Sequence, residues 1–380
     1  MANASQHTLL EAIAVSGPIS RAGLAERTGL SRPAVSMLSR GLVEGGLVLE
    51  DGAGIGARTR AGRPRVLLSL NPCSAYFAGV YAAQDPLQLV LTDLSGRVAA
   101  RSEAPLPDTP EALATTVRDA VTRLRAAARI SRGQLRGIGL ALTGLIDWQR
   151  GVCLHAANLG WRDVPVAALL RRATGLPVTL DNDANAVAVA ERLFGPAREV
   201  LDVSVVVLGD GIGCGHHLGG RLQRGHRGGA GEIAHLMVEP DGLPCRCGKR
   251  GCLDTVASRR AMLDAARAAG LAARSPAELE AKASGGNAAA GAILRRAGGA
   301  LGTAIAHLIQ IVAPAVVVVA DVEGGAGLLH RAVLDAVAAN VLPELLAATT
   351  IRFEAVGRDV WARGAASLAT RAFLAGADAI

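Results

Sequence analysis

Three cysteines within eight positions, Cys245, Cys247 and Cys252, follow His235 in the spacing H-x9-C-x-C-x4-C. Four soft or borderline ligands at loop spacing are what a tetrahedral zinc site requires. Gly248 and Gly251 let the chain turn tightly around an ion. Three thiolates and an imidazole close the coordination shell, so the spacing predicts one structural Zn2+ per chain rather than a hydrolytic one. The alternative is three incidental thiols in a buried loop. Clustered thiols suit a metal in a reducing compartment better than a disulfide framework. The remaining Cys73, Cys153 and Cys214 read as small core residues.

The chain has 380 residues. That is long for one core and predicts two or three compact units. The formal charge is +7, with lysine only at Lys249 and Lys282. This basic excess permits nucleic-acid binding without establishing it. Aromatics make up 2% of the chain, too few for a surface that stacks single-stranded bases. The first residues lack a basic stretch followed by an apolar run, and no segment reaches the roughly 20 apolar residues that span a bilayer. The expectation is a cytoplasmic protein with no membrane partner. The longest strongly apolar run, 311–320, contains Pro314 and reads as a buried strand.

Residues 1–71 form the first predicted domain. Leu9, Leu10 and Ile13 begin an apolar helical stripe. Ser20 can cap a helix over 21–28, which Gly29 ends. Ser31 can cap the next helix, with Pro33 in its first turn. Val35, Leu38 and Leu42 form its packed face, and Gly45-Gly46 stops it. Short strands follow at 47–49 and 66–68. Two helices across a tight turn, then a hairpin, describe a winged helix-turn-helix whose second helix enters the major groove. Ser31, Arg32, Ser36 and Arg40 then face DNA, where arginine grips guanine or phosphate and serine bonds either. Arg58, Arg60, Arg63 and Arg65 make a positive wing, with Arg63 the chosen contact to phosphate or a narrow minor groove. A helical hairpin that packs on the body, its arginines solvated, fits the same spacing.

From residue 76 strands and helices alternate to the C-terminus, an α/β pattern. Strands read at 76–82, 87–93, 137–142, 178–180 and 203–208, with a helix over 111–128. No internal repeat is visible. Asp181-Asn182-Asp183-Ala184-Asn185 opens an alanine-rich helix. Gly231-Glu232-Ile233-Ala234-His235 follows, and Asp254 comes just after the last cysteine. Carboxylates with an amide and an imidazole suit a polyol, which needs several acceptors and donors. Read in isolation, the first motif is a capped helix.

Together these segments resemble the ROK family of repressors, open reading frames and kinases. The resemblance rests on residues 18–36, Gly62-Arg63-Pro64, Gly144, Asn158-Leu159-Gly160-Trp161, the Asp181 motif, the Gly209 loop, the cysteine loop and Gly364-Ala365-Ala366. It implies a winged helix-turn-helix followed by a two-lobed, actin-like sugar-kinase body over 76–380, with its zinc loop at 235–252. It carries sugar contacts onto Asn182, Asp183, Glu232 and His235, and onto Asp254 in place of a usual glutamate. Asp183 falls on the kinases' general base. The ATP side departs from the family. Tyr81 stands where the first phosphate turn has its acidic residue, Asp210 replaces a threonine, and Ala320-Asp321 replaces a Gly-Gly. The resemblance therefore implies a repressor without catalytic residues. It binds an inverted-repeat DNA operator as a homodimer or homotetramer and answers to a small carbohydrate. The alternative is an ATP-dependent sugar kinase with an appended DNA-binding head.

Overall fold

The computed structural model describes residues 4–51, 66–322, 324 and 327–376. They form two compact units, one of residues 1–199 and 361–380 and one of residues 200–360. The first unit begins with three helices, α1 (Ala4–Ser16), α2 (Arg21–Thr28) and α3 (Arg32–Glu44). A small sheet joins β1 (Ile19–Ser20), β2 (Val48–Asp51) and β3 (Leu67–Leu70) in the order β1-β3-β2. The caps lie where hydroxyls can satisfy open helix N-termini. The Ser20 hydroxyl accepts from Gly23 N at 3.1 Å and that of Ser31 from Ala34 N at 3.3 Å. Gly29, at φ 71°, closes α2 in the left-handed region that glycine tolerates. Leu9, Leu10, Ile13, Leu24, Val35, Leu38 and Leu42 meet in the core of this head. Arg21 locks it by donating to Ser39 Oγ at 3.0 Å and pairing with Glu50.

The same unit then builds a five-stranded sheet from β4 (Tyr76–Tyr81), β5 (Leu87–Asp93), β6 (Val98–Ala104), β7 (Leu135–Leu142) and β11 (Val178–Asn182). Its order is β11-β7-β4-β5-β6. Helices α4 (Pro110–Ala127) and α5 (Val166–Thr174) cover it with Leu113, Val117, Val121 and Leu170. A three-stranded sheet of β8 (Leu145–Asp147), β9 (Val152–Ala156) and β10 (Trp161–Val164) sits between β7 and α5 in the chain. Helix α6 (Asp183–Phe194) follows β11.

The second unit repeats the topology. Its sheet, β14 (Arg221–Gln223), β13 (Ile212–Leu218), β12 (Val203–Leu208), β15 (Val316–Val322) and β16 (Thr350–Val356), again has three antiparallel strands followed by two parallel ones. Helices α7 (Asp254–Ala257), α8 (Arg259–Ala268), α9 (Pro276–Ser284), α10 (Ala288–Val312), α11 (Leu328–Asn340) and α12 (Pro343–Ala348) belong to it. The chain then returns to the first unit as α13 (Val360–Ala375). That return needs glycine. A Cβ on Gly79 would lie 1.9 Å from Ala362 O, and one on Gly139 1.7 Å from Ala365 O. These two glycines are cross-strand neighbours on β4 and β7, so the sheet offers α13 a flat backbone seat. Gly364 turns the helix's small side toward Ala186 and Val187 of α6.

Two sequence expectations change. The run 311–320 is not one strand: Ile311 and Val312 end α10, and Ala313 takes a left-handed turn at φ 49° before β15 starts at Val316. Pro314, which has no amide hydrogen for a helix to use, falls in that turn. Cys73 is exposed in a 3-10 turn over Pro72–Ser74, whereas Cys153 and Cys214 are buried. Among the described residues no helix is long and apolar enough to cross a membrane.

The glycine seat yields a direct expectation. Gly139→Ala forces a methyl group into backbone and should cost on the order of 1–3 kcal/mol or more, as overpacking does. Urea denaturation measures this, and an unchanged midpoint would contradict the tight seat.

Candidate functional site

The DNA-facing candidates lie on one helix. Ser31 caps α3, and Arg32, Ser36 and Arg40 are exposed on it while Val35, Leu38 and Leu42 point into the head. Met37 shares the outer face. Arg58, Arg60, Arg63 and Arg65 lie outside the described residues.

The Asp181 motif sits where β11 becomes α6. Asn182 caps the helix: Oδ1 accepts from Ala184 N at 2.9 Å, and Nδ2 donates to Gly144 O at 3.1 Å. Asp183 Oδ1 accepts from the same amide at 2.9 Å. Behind them, buried Asp181 accepts from Asn182 N at 2.8 Å and Asn185 Nδ2 at 3.0 Å. The motif is therefore a capped helix, and the capping presents Asp183 at its first turn. Thr143 Oγ1 lies 2.6 Å from Asn158 Oδ1, and Asn158 Nδ2 donates to Ala83 O at 2.7 Å. No periodicity in the sequence marks Asn158 for this bracing role.

At its other end α6 meets the head. It packs against α1, and Arg192 stands near Glu11, Arg27 and Glu199. Burial, then repulsion from Arg27, pulls the Arg192 guanidinium below its usual range. Its Nη1 has no hydrogen-bond partner among the described residues. Arg27 Nη1 lies 3.8 Å from Glu199 Oε1.

In the second unit, His235, Cys245, Cys247 and Cys252 offer ligand atoms all within 4.8 Å of one another. His235 Nδ1 is 3.7 Å from Cys245 Sγ, and Cys247 Sγ is 3.6 Å from Cys252 Sγ. A tetrahedron with zinc–sulfur bonds of about 2.3 Å has edges of about 3.8 Å, so the donor set fits. Burial and the neighbouring thiols push Cys252 up to about 12. Crowded thiols resist ionising together unless a cation neutralises them. Backbone bonds shape the loop: Cys245 N donates to Lys249 O, Val238 N to Gly251 O and Leu253 N to Leu236 O, each at 2.8 Å. Gly251, at φ 67°, presses against Glu239, where a Cβ would lie 1.6 Å from the carbonyl. Glu239 takes two hydrogen bonds from Arg296 of α10, at 2.7 and 2.6 Å, and these hold its carboxyl below the usual range. With Nδ1 turned to the thiols, His235 Nε2 lies 4.0 Å from Glu232 Oε2.

Asp254 is buried, and both of its oxygens are engaged. Oδ1 accepts from Ile212 N at 3.3 Å, and Oδ2 lies 3.3 Å from Arg260 and 3.6 Å from Arg246. Arg246 lies inside the cysteine loop, and nothing in the sequence pattern marks it for this contact. The ATP-side positions have partners too. Tyr81 stacks on Trp361 with centroids 5.1 Å apart. Asp210 pairs with Arg259. Asp321, buried at the end of β15, lies 2.8 Å from His330, whose ring stacks on Phe353 at 3.9 Å.

A winged-helix head on a duplicated α/β body, with a loop of one histidine and three cysteines, defines a class. The chain matches the MarR family over residues 3–54 and the ROK family over residues 77–372. It belongs to the ROK family. The xylose repressor of Bacillus subtilis is 33% identical over 260 residues, 68% of this chain and 67% of that one. The glucokinase of Halalkalibacterium halodurans is 36% identical over 186 residues, 48% of this chain and 56% of that one. A solved ROK family transcriptional regulator, a homologue of the E. coli MLC protein, superposes with a TM-score of 0.81 at 25% identity, covering 98% of this chain and 97% of that one. The architecture is thus a helix-turn-helix head followed by the actin-like ROK sugar-kinase fold.

The cysteine loop can be tested by metal removal. Cys252→Ser should lower the metal content found by elemental analysis and the thermal midpoint together, since metal binding is coupled to folding. A variant that keeps its stability with no metal bound would show that the cluster is incidental.

Proposed function

We propose that the chain is a DNA-binding transcriptional regulator, acting as a repressor of carbohydrate genes, whose operator affinity is set by a bound sugar. The observation that carries this reading is α6. Its first turn bears Asn182 and Asp183, and its far end packs on α1 of the DNA-binding head. A ligand that shifts this 12-residue helix acts on the head directly. Asp183 and Glu232 supply acceptors for sugar hydroxyls, Asn182 its amide, and His235 the ring nitrogen left after Nδ1 binds metal. Asp254, with both oxygens engaged, serves by holding the glycine loop and cysteine loop together rather than by touching the sugar. The metal is one structural Zn2+ per chain. Paired heads of a homodimer or homotetramer read an inverted repeat in the cytoplasm, because half-site spacing mirrors protein symmetry. Ser31, Arg32, Ser36 and Arg40 make contacts from α3, and Arg63 from the wing.

The likeness to a glucokinase favours a second reading, a sugar kinase with an appended head. The partners of three ATP-side residues weigh against it. Phosphoryl transfer depends on cations and amides held ready for phosphate charge. Here the carboxylates of Asp210 and Asp321 stand at those positions, and Arg259 is spent on Asp210. Asp183 alone, although it matches the kinase base, cannot replace that apparatus.

The experiment combines selection of binding sequences from random duplex DNA with a thermal-shift panel of monosaccharides, amino sugars and disaccharides. One sequence class and at least one stabilising sugar are expected. Selection without sequence preference would sink the regulator. Asp183→Ala should abolish the sugar-dependent change in operator affinity and leave sugar-free binding intact. ADP release with magnesium, ATP and the panel should stay far below about 1 per second, the low end of kinase rates. Faster sugar-dependent turnover would establish the kinase reading instead.

A further inference from the structure

Met37 is 68% exposed, the most exposed large apolar side chain among the described residues of the head. It sits in the first half of α3, the helix whose other exposed positions are polar or charged apart from Pro33 in the first turn. Arg40 follows it three residues later on the same outer face, and Ser36 adjoins it. The head has no lack of core: Val35, Leu38 and Leu42 already bury the inner face. Packing of the described head therefore makes no use of the Met37 side chain.

In the major groove each base pair shows donors and acceptors, and thymine alone adds a C5-methyl group. A thioether sulfur donates no hydrogen bond and is only a weak acceptor, so it gains little from the polar edges. What it chiefly does is remove apolar surface from water, and the methyl group is the apolar feature on offer. Methionine suits this task because its unbranched, polarizable chain adapts to a methyl whose position varies slightly. Resting on the regulator reading above, we propose that Met37 is a specificity-determining residue that reads a thymine methyl in each operator half-site. Arg40 and Ser36 flank it with polar contacts that set the register. Arginine and serine carry the hydrogen-bond part of recognition, and Met37 carries the methyl part.

The test replaces thymine by uracil, which deletes the methyl and keeps every hydrogen-bonding edge. The duplex selected with the intact protein is scanned one thymine at a time by fluorescence anisotropy at fixed salt. Wild type should lose about fourfold in affinity at one thymine per half-site, the weight of one methyl group leaving water. Met37→Ala should bind the thymine and uracil forms of that position equally, while keeping the preferences set elsewhere. Met37→Leu, which keeps an apolar reach, should retain the discrimination. Indifference of wild type to every uracil overturns the assignment, as does a Met37→Ala variant with the wild-type thymine-to-uracil ratio. Sequence selection followed by a flat uracil scan sinks this inference alone. Failure to select any sequence sinks the regulator reading and this one with it.

Discussion

The seat of α13 on the first sheet holds the first unit together. Gly79 and Gly139 let helix backbone approach strand backbone at a distance no other residue permits. The same helix presses Gly364 against α6, and Phe373 near its end meets Phe77 of β4 with centroids 5.5 Å apart. Its last turn also reaches the head: Leu374 O lies 2.9 Å from His7 Nδ1 on α1. One helix from the chain's end thus fixes the sheet, the Asp183 helix and the first helix of the head. Close backbone approach gives dispersion contacts over a large area and leaves little room for adjustment. A change at the seat therefore bears on the contacts of α13 with both α6 and α1.

Electrostatics divides the unit differently. Inside the head, Arg21 is satisfied by Ser39 and Glu50, which ties α2 to α3 and β2. At the junction with α6, Arg192 has a buried nitrogen with no acceptor among the described residues, and Arg27 repels it. Leaving a buried donor unsatisfied costs about 1–3 kcal/mol, more when it is charged. Arg21 is thus paired within the head, whereas Arg192 at the contact with α1 keeps a buried nitrogen without an acceptor among the described residues.

Much of this is legible in the sequence, for reasons that differ by residue. His235, Cys245, Cys247 and Cys252 stand out by spacing because a single loop can bring residues a few positions apart to one point. Ser20, Ser31 and Gly29 stand out because caps are local chemistry. The run 311–320 misleads because hydrophobicity cannot say where a buried helix stops and a buried strand begins. Cys73 misleads because burial depends on tertiary context. The matching topology of the two sheets leaves no repeat in the residues, since strand order constrains pattern and not identity. Asp254 is placed by resemblance, while its engagement by Arg246 and Arg260 is a matter of three dimensions. Met37 escapes notice because an apolar residue on an amphipathic helix is assumed to face inward.

The residues at the positions that the family resemblance assigns to ATP find their partners within the chain. A phosphate site must hold its cations and amides uncommitted, at a cost in stability, until the nucleotide arrives. Each changed position here is instead closed within the chain. Tyr81 stacks on Trp361, Arg259 binds Asp210, and Asp321 binds His330, whose ring stacks on Phe353. These contacts stabilise each sheet's end without any ligand. The polar groups of Asp183 and Glu232, by contrast, remain partly exposed.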